Sequence, residues 1–388
     1  MTRPVPRGVA RRQIPLEAGL TWPTLARLLG RTPPPVPFQD PQVEWLFCGS
    51  VGLFRAARRL GLRSGDVVLL PAYNCGSEID AILAAGADVA FYAVGHDGRA
   101  DLSDLARRWT PRAKAVLVIH HFGFPQPIAA IVEWARSRGL WVIEDCAHSW
   151  LSRSEGRPLG TFGDIAVFSP RKSLPIPDGG ALLPGPSVGA TASPLEPPDW
   201  RHCLRELIDS AGRSAGRPFG LPLGGALRRA VRRWSPGGLK PLSRLGSQED
   251  FASVAPRLNW RMSGVARRLL CATDHDELVR RRRSNFSLLL ERLPRCGGLR
   301  PLFDELPAGV CPLYFPVVSE ARDALHVRLG EHGVDSHRFW RWSHSAIPAA
   351  EHPNVAALRS QLLVLPIHQG LGQEDVSFMA EAVGAAAR

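Results

Sequence analysis

Lysine is nearly missing from this chain. Of 48 Lys plus Arg only Lys114, Lys172 and Lys240 are lysine, although the formal net charge is +12. Paired cysteine motifs are absent as well: the seven cysteines, Cys48, Cys75, Cys146, Cys203, Cys271, Cys296 and Cys311, are odd in number, widely spaced and never C-x-x-C. That excludes a disulfide framework or a zinc site and leaves small core hydrophobes or site-lining residues. No apolar run approaches the roughly 20 residues of a membrane span. Met1 to Leu20 carries arginines without the apolar stretch of a secretory signal, so a soluble cytoplasmic protein is expected. With 45% hydrophobic and 22% charged residues, disorder is excluded as the main state. A length of 388 residues supports two domains and a sizeable core.

The shortage of lysine sharpens attention on those retained. A guanidinium stays protonated, whereas a desolvated amine can lose its proton and condense with a carbonyl. Coding bias explains the skew most simply, with all three lysines as incidental surface residues. The incidental reading is weakest for Lys172, which makes it the first candidate for amine chemistry.

Composition divides the chain into residues 1–40, an Arg- and Pro-rich arm with a short helix around Thr24 to Leu29; 41–270, a large domain; and 271–388, a small α+β domain. Strands are predicted at Val67–Leu70, Val89–Tyr92, Ala115–His120, Leu140–Glu144, Ile165–Phe168 and Ala181–Leu183. Helices fall between them, one at Glu78–Ala85 capped by Ser77 and one at Ile128–Ser137. This alternation predicts an α/β fold with a mostly parallel sheet covered on both faces. Residues 185–257, rich in Pro, Gly and Arg, read as an irregular insertion. The run Arg280 to Arg283 opens a predicted helix, Asn285–Leu293. It reads as a solvated face, since no aromatic residues interleave as a nucleic-acid surface would require.

Ligands of open α/β sheets bind beyond the carboxyl ends of the strands. Three such ends carry polar residues: His120-His121-Phe122-Gly123, Glu144-Asp145-Cys146-Ala147-His148 and Ser169-Pro170-Arg171-Lys172. An amine, a carboxylate and an imidazole together suit pyridoxal phosphate, which needs a lysine for its aldehyde, a carboxylate for its pyridinium nitrogen and a phosphate cradle. Cys48-Gly49-Ser50 before a helical pattern, Leu53 to Leu60, supplies a candidate cradle; taken alone, Gly49-Ser50 reads first as a plain helix N-cap.

In order and spacing these pieces resemble the DegT/DnrJ/EryC1/StrS aminotransferases, fold type I pyridoxal phosphate enzymes, from about residue 45 onward. Further matching pieces are Pro71-Ala72-Tyr73, Gly179-Gly180, Leu258-Asn259-Trp260 and Leu365-Pro366-Ile367-His368. The resemblance implies a seven-stranded-type large sheet and a small C-terminal domain. It assigns Lys172 to the cofactor aldehyde and to proton shuttling, and Asp145 to the pyridinium. Gly49, Ser50 and Ser169 fall to the phosphate, and His148, where the family usually has Gln, to the phenolic oxygen. His120 would line the substrate pocket, with a buried structural histidine as the equal alternative, and Asn259 would reach the phosphate of a neighbouring subunit, which implies a homodimer with shared sites. No metal is implied. Cys75 stands where the family stacks an aromatic on the ring, with Tyr73 as the substitute, and the loop from Ser169 to Lys172 is two residues short.

The expected activity is transfer of an amino group from glutamate to a nucleotide-linked keto sugar, in polysaccharide or secondary-metabolite biosynthesis. Two alternatives keep the cofactor: a lyase or dehydratase, against which the retained Lys172 argues, and a regulator or scaffold without turnover. Nucleic-acid binding would rest on net charge alone.

Overall fold

The computed structural model describes residues 12–29, 33–189, 194–214, 254–294 and 298–388. Parts of the expected arm and insertion, and Lys240, lie outside the described residues.

Nine short strands precede residue 185: β1 (Glu44–Leu46), β2 (Val67–Pro71), β3 (Asp88–Tyr92), β4 (Ala113–Ile119), β5 (Trp141–Cys146), β6 (Arg153–Ser154), β7 (Arg157–Pro158), β8 (Ile165–Phe168) and β9 (Gly180–Pro184). Seven form one sheet in the order β1-β9-β8-β5-β4-β2-β3, and β6 with β7 makes a separate hairpin. The core pairings β3-β2, β2-β4, β4-β5 and β5-β8 are parallel, whereas β8-β9 and β9-β1 are antiparallel.

The strands are apolar on both faces because helices cover both. Val68, Leu70, Leu117, Ile143 and Val167 pack toward Val51, Ala56, Ile79 and Ile82, while Leu69, Val116, Val118 and Val142 pack toward Ile128, Ile131 and Ala135. Alternate residues thus serve opposite layers, as the pleat requires. The helix Gly49–Arg59 presses close on β8, where a Cβ on Gly52 would meet Val167 Cγ1 at 2.7 Å.

A second sheet, β10 (Leu299–Pro301), β11 (Phe315–Ser319), β12 (His337–Arg338) and β13 (Leu362–Leu365), is antiparallel in the order β10-β11-β13-β12. Within the expected arm, Ile14 is buried and its amide donates to the Gly333 carbonyl at 2.8 Å, tying that segment to this C-terminal unit.

Four expectations are corrected. Ser77 is the first residue of its helix, Ser77–Ala84, and Gly76 with φ 93° holds the cap position. Asn74 sets that turn, accepting from the Gly76 amide at 2.9 Å and donating to the Pro71 carbonyl at 2.8 Å. The helix expected from Asn285 starts at His275, because the Asp274 side chain caps it through the Glu277 amide. β1 escaped notice, being only three residues long. Of the arginine run, Arg280 and Arg281 pair with Glu277 on the surface, but Arg282 is buried. It donates to the carbonyls of Leu313 at 2.8 Å and Ser173 at 3.1 Å.

Candidate active site

Asp145 ends β5, Tyr73 follows β2, and Lys172 closes a short 3-10 turn, Pro170–Lys172, after β8. All three stand at the carboxyl edge of the parallel strands, and the strand order reverses between β2 and β4. The Asp145 carboxylate is almost wholly buried and accepts the Ala147 amide at 2.9 Å. Burial first, then the Glu78 carboxylate, pushes its carboxyl up to about 7, against the opposing pull of that amide and of Lys172.

The Lys172 amine lies 3.1 Å from His148 Nε2. The imidazole is surrounded by Phe122, nearly parallel at 5.9 Å, Phe339 at 5.4 Å and Trp340 at 5.3 Å. Burial, then Lys172 and His121, holds His148 well below its ordinary range, so it is neutral.

Where the resemblance places a ring-stacking aromatic, the Cys75 thiol sits 3.0 Å from Ser77 Oγ and 3.0 and 3.2 Å from the two Glu78 oxygens. Burial and Glu78 push this thiol well up, so it is a hydrogen-bond donor and not a thiolate. Tyr73 is buried with its hydroxyl unpartnered among the described residues. Its ring lies 5.0 Å from Trp340.

Gly49 opens the helix Gly49–Arg59, whose first amides lack intrahelical acceptors. Ser169 faces this end: a Cβ on Gly49 would stand 3.5 Å from Ser169 Cβ and 3.8 Å from its hydroxyl oxygen. That hydroxyl is buried and unpartnered among the described residues, and Ser50, next to Gly49 in sequence, is buried as well. Asn259 is exposed, with its carbonyl accepting the Glu196 amide at 2.7 Å.

His120 is not free to meet a substrate. Its Nε2 lies 3.1 Å from Glu144, and its Nδ1 accepts the Gln126 amide at 3.1 Å. Glu144 in turn accepts the amides of Gly160, Phe162 and Gly163 at 2.9, 2.7 and 2.6 Å. These two side chains and Cys146 have ligand atoms within 4.8 Å of one another, but the carboxylate oxygens are already committed to those amides.

Sequence reasoning overlooked His121, Glu78, Phe339 and Trp340. His121 is pulled down to about 4 by burial and is neutral. Its Nδ1 lies 3.1 Å from the Gly98 carbonyl and its Nε2 3.2 Å from the Tyr73 carbonyl, so the neutral ring donates to one of these two. His121 stands next to His120 in a stretch already singled out, so a signal existed. Trp340 offered none, because it arrives from the other sheet.

Residues 46–185 match the model of the DegT/DnrJ/EryC1/StrS aminotransferase family. GDP-perosamine synthase of Escherichia coli O157:H7 is 36% identical over 138 residues, 35% of this chain and 38% of the relative. The dTDP-4-dehydro-2,3,6-trideoxy-D-glucose 4-aminotransferase of Saccharopolyspora spinosa is 40% identical over 147 residues, 36% of this chain and 38% of the relative. These matches span less than two fifths of either relative's length. The fold extends further: the aminotransferase TlmJ of Streptoalloteichus hindustanus superposes with a TM-score of 0.66 over 97% of this chain and 99% of that chain, at 24% identity. The family stretch runs from the Gly49 helix through Lys172 and so contains every candidate residue above except Asn259, Phe339 and Trp340. Among the described residues no helix is long and apolar enough to cross a membrane.

Proposed function

We propose that this chain is a pyridoxal phosphate-dependent aminotransferase that passes an amino group from an amino acid, glutamate in the first instance, to a keto sugar carried on a nucleotide. The observation that carries the reading is the convergence of Lys172, Asp145 and the Gly49–Ser169 cradle at one edge of a family-type sheet. The names of the relatives support the acceptor class.

The residues present fit the cofactor on three counts. Ser169 offers a buried, unpartnered hydroxyl at a helix start, where dipole and amides favour an anion. Asp145 is a carboxyl raised by burial and then by Glu78, and a pyridinium N–H would offset both. Lys172 brings an amine to the same strand edge. When bound, the cofactor supplies an aldehyde and an electron-accepting ring.

Each side chain then has a separate task. Asp145 would hold the ring nitrogen of the cofactor. Lys172 would hold its aldehyde and, as a free amine, could carry a proton. Ser169, Ser50 and the helix amides would hold the phosphate. Cys75 and Tyr73 are the groups at the segment that would cover the ring face, and the aromatic wall of Phe122, Phe339 and Trp340 excludes water. Asn259, exposed in the single chain, fits a contact to the phosphate of a second subunit in a cytoplasmic homodimer.

Borohydride reduction followed by peptide mapping tests the lysine. Spectral conversion of bound cofactor by glutamate, reversed by a keto-sugar nucleotide, tests the transfer. A cofactor adduct on another residue, or no response to any amino donor, would overturn the reading.

A further inference from the structure

His148 has one side-chain hydrogen-bond partner among the described residues, the Lys172 amine at 3.1 Å. Its other nitrogen, Nδ1, is buried and unpartnered. Two of the three rings around it belong to residues with left-handed backbone, Phe122 at φ 56° and Trp340 at φ 46°. Such φ values are costly for residues bearing side chains, and they persist where packing over-determines them. Here both left-handed residues border the same imidazole, so the packing that holds them also confines it.

The charged surroundings are few. Lys172 and His121 face His148, and Asp145 and Cys75 face Lys172, with Glu78 acting on both Asp145 and Cys75. No carboxylate is bonded to the imidazole among the described residues, so nothing adjacent favours its cationic form. A ring fixed in this way acts on the amine by direction alone. We propose that His148 is a positioning residue that fixes the Lys172 amine nitrogen, a task an amide can perform and an apolar side chain cannot. The contact itself stands without the cofactor; its use in holding the amine toward an aldehyde rests on the function proposed above.

Two measurements separate those levels. In the full-length protein freed of cofactor with hydroxylamine, ring-15N histidine spectra identify His148 by the signal lost in H148Q. The expected pattern is a neutral imidazole from about pH 6 to about pH 9, with resonances that move in K172A and stay in K114A. An imidazolium signal in that range, or indifference to K172A, overturns the proposal. Titration with pyridoxal phosphate forms the second arm: H148Q should bind within about threefold of the unsubstituted protein, and H148L at least about tenfold more weakly. Equal binding by H148L, or equal failure of H148Q and H148L, overturns it as well. If the unsubstituted protein binds no pyridoxal phosphate, the proposed function falls, and the imidazole spectra still decide the role of His148.

Discussion

The Cys75 thiol donates to the Glu78 carboxylate, with sulfur 3.0 and 3.2 Å from its two oxygens, and this buried acid acts directly on Asp145. The segment that would cover a bound ring thus carries a polar, acidic pair in place of an aromatic. Asp145 consequently feels burial and a like charge together, an arrangement that a cation in the pocket relieves.

That arrangement fixes the sign of a pH effect. With its carboxyl pushed up to about 7, Asp145 holds a proton in the folded protein that the unfolded chain has already released above about pH 4. Stability of the cofactor-free protein therefore falls as pH rises between those values, and the penalty is complete above the higher one. D145N keeps the acceptor for the Ala147 amide and removes the charge. It should melt higher than the unsubstituted protein at about pH 8, by an amount on the order of a few kcal/mol, with the difference closing near about pH 4. The same variant should bind pyridoxal phosphate at least about tenfold more weakly. Equal melting at the higher pH would contradict the assignment.

G49A separates the cradle from the fold. The added methyl would stand in ordinary contact, 3.5 Å from Ser169 Cβ, and alanine favours a helix over glycine by up to about 1 kcal/mol. Thermal stability should hold or rise slightly while affinity for pyridoxal phosphate drops about tenfold or more. Phosphate-free pyridoxal should be affected far less, and an equal loss for both vitamers would place the phosphate elsewhere.

Glu144 carries the structural counterpart of the site. Burial alone would raise its carboxyl, but His120 and the amides of Gly163 and Gly160 outweigh it and hold it below the usual range. The stability it confers is present above its unfolded value and is lost as pH falls through the depressed folded one. E144A should cost about 3–5 kcal/mol in urea unfolding, because three amides and an imidazole lose their acceptor. A variant near the unsubstituted protein in stability would return His120 to consideration as a substrate contact.

Much of this fold is legible in the sequence because β2, β4, β5 and β8 are largely apolar runs, each ending at polar residues on the same sheet edge. Lys172 and Asp145 could be picked out for the same reason. Arg282 was hidden by its charge: read as part of a basic run, it in fact shares the buried stripe of Leu278, Phe286 and Leu289 and bridges to the Ser173 carbonyl, one residue beyond Lys172. The wall around His148 was hidden by distance along the chain, since Phe339 and Trp340 follow β12 of the second sheet. Local pattern reports which face a residue buries, not which distant ring will meet it.

The account stands or falls on one amine among three lysines. Protein incubated with pyridoxal phosphate should absorb in the visible, and borohydride should fix the cofactor on the Lys172 peptide and on neither Lys114 nor Lys240. K172R, which keeps the charge, should abolish both signals without loss of fold. A stable adduct in K172R, or a folded protein that stays colourless with the vitamer, would contradict the central claim.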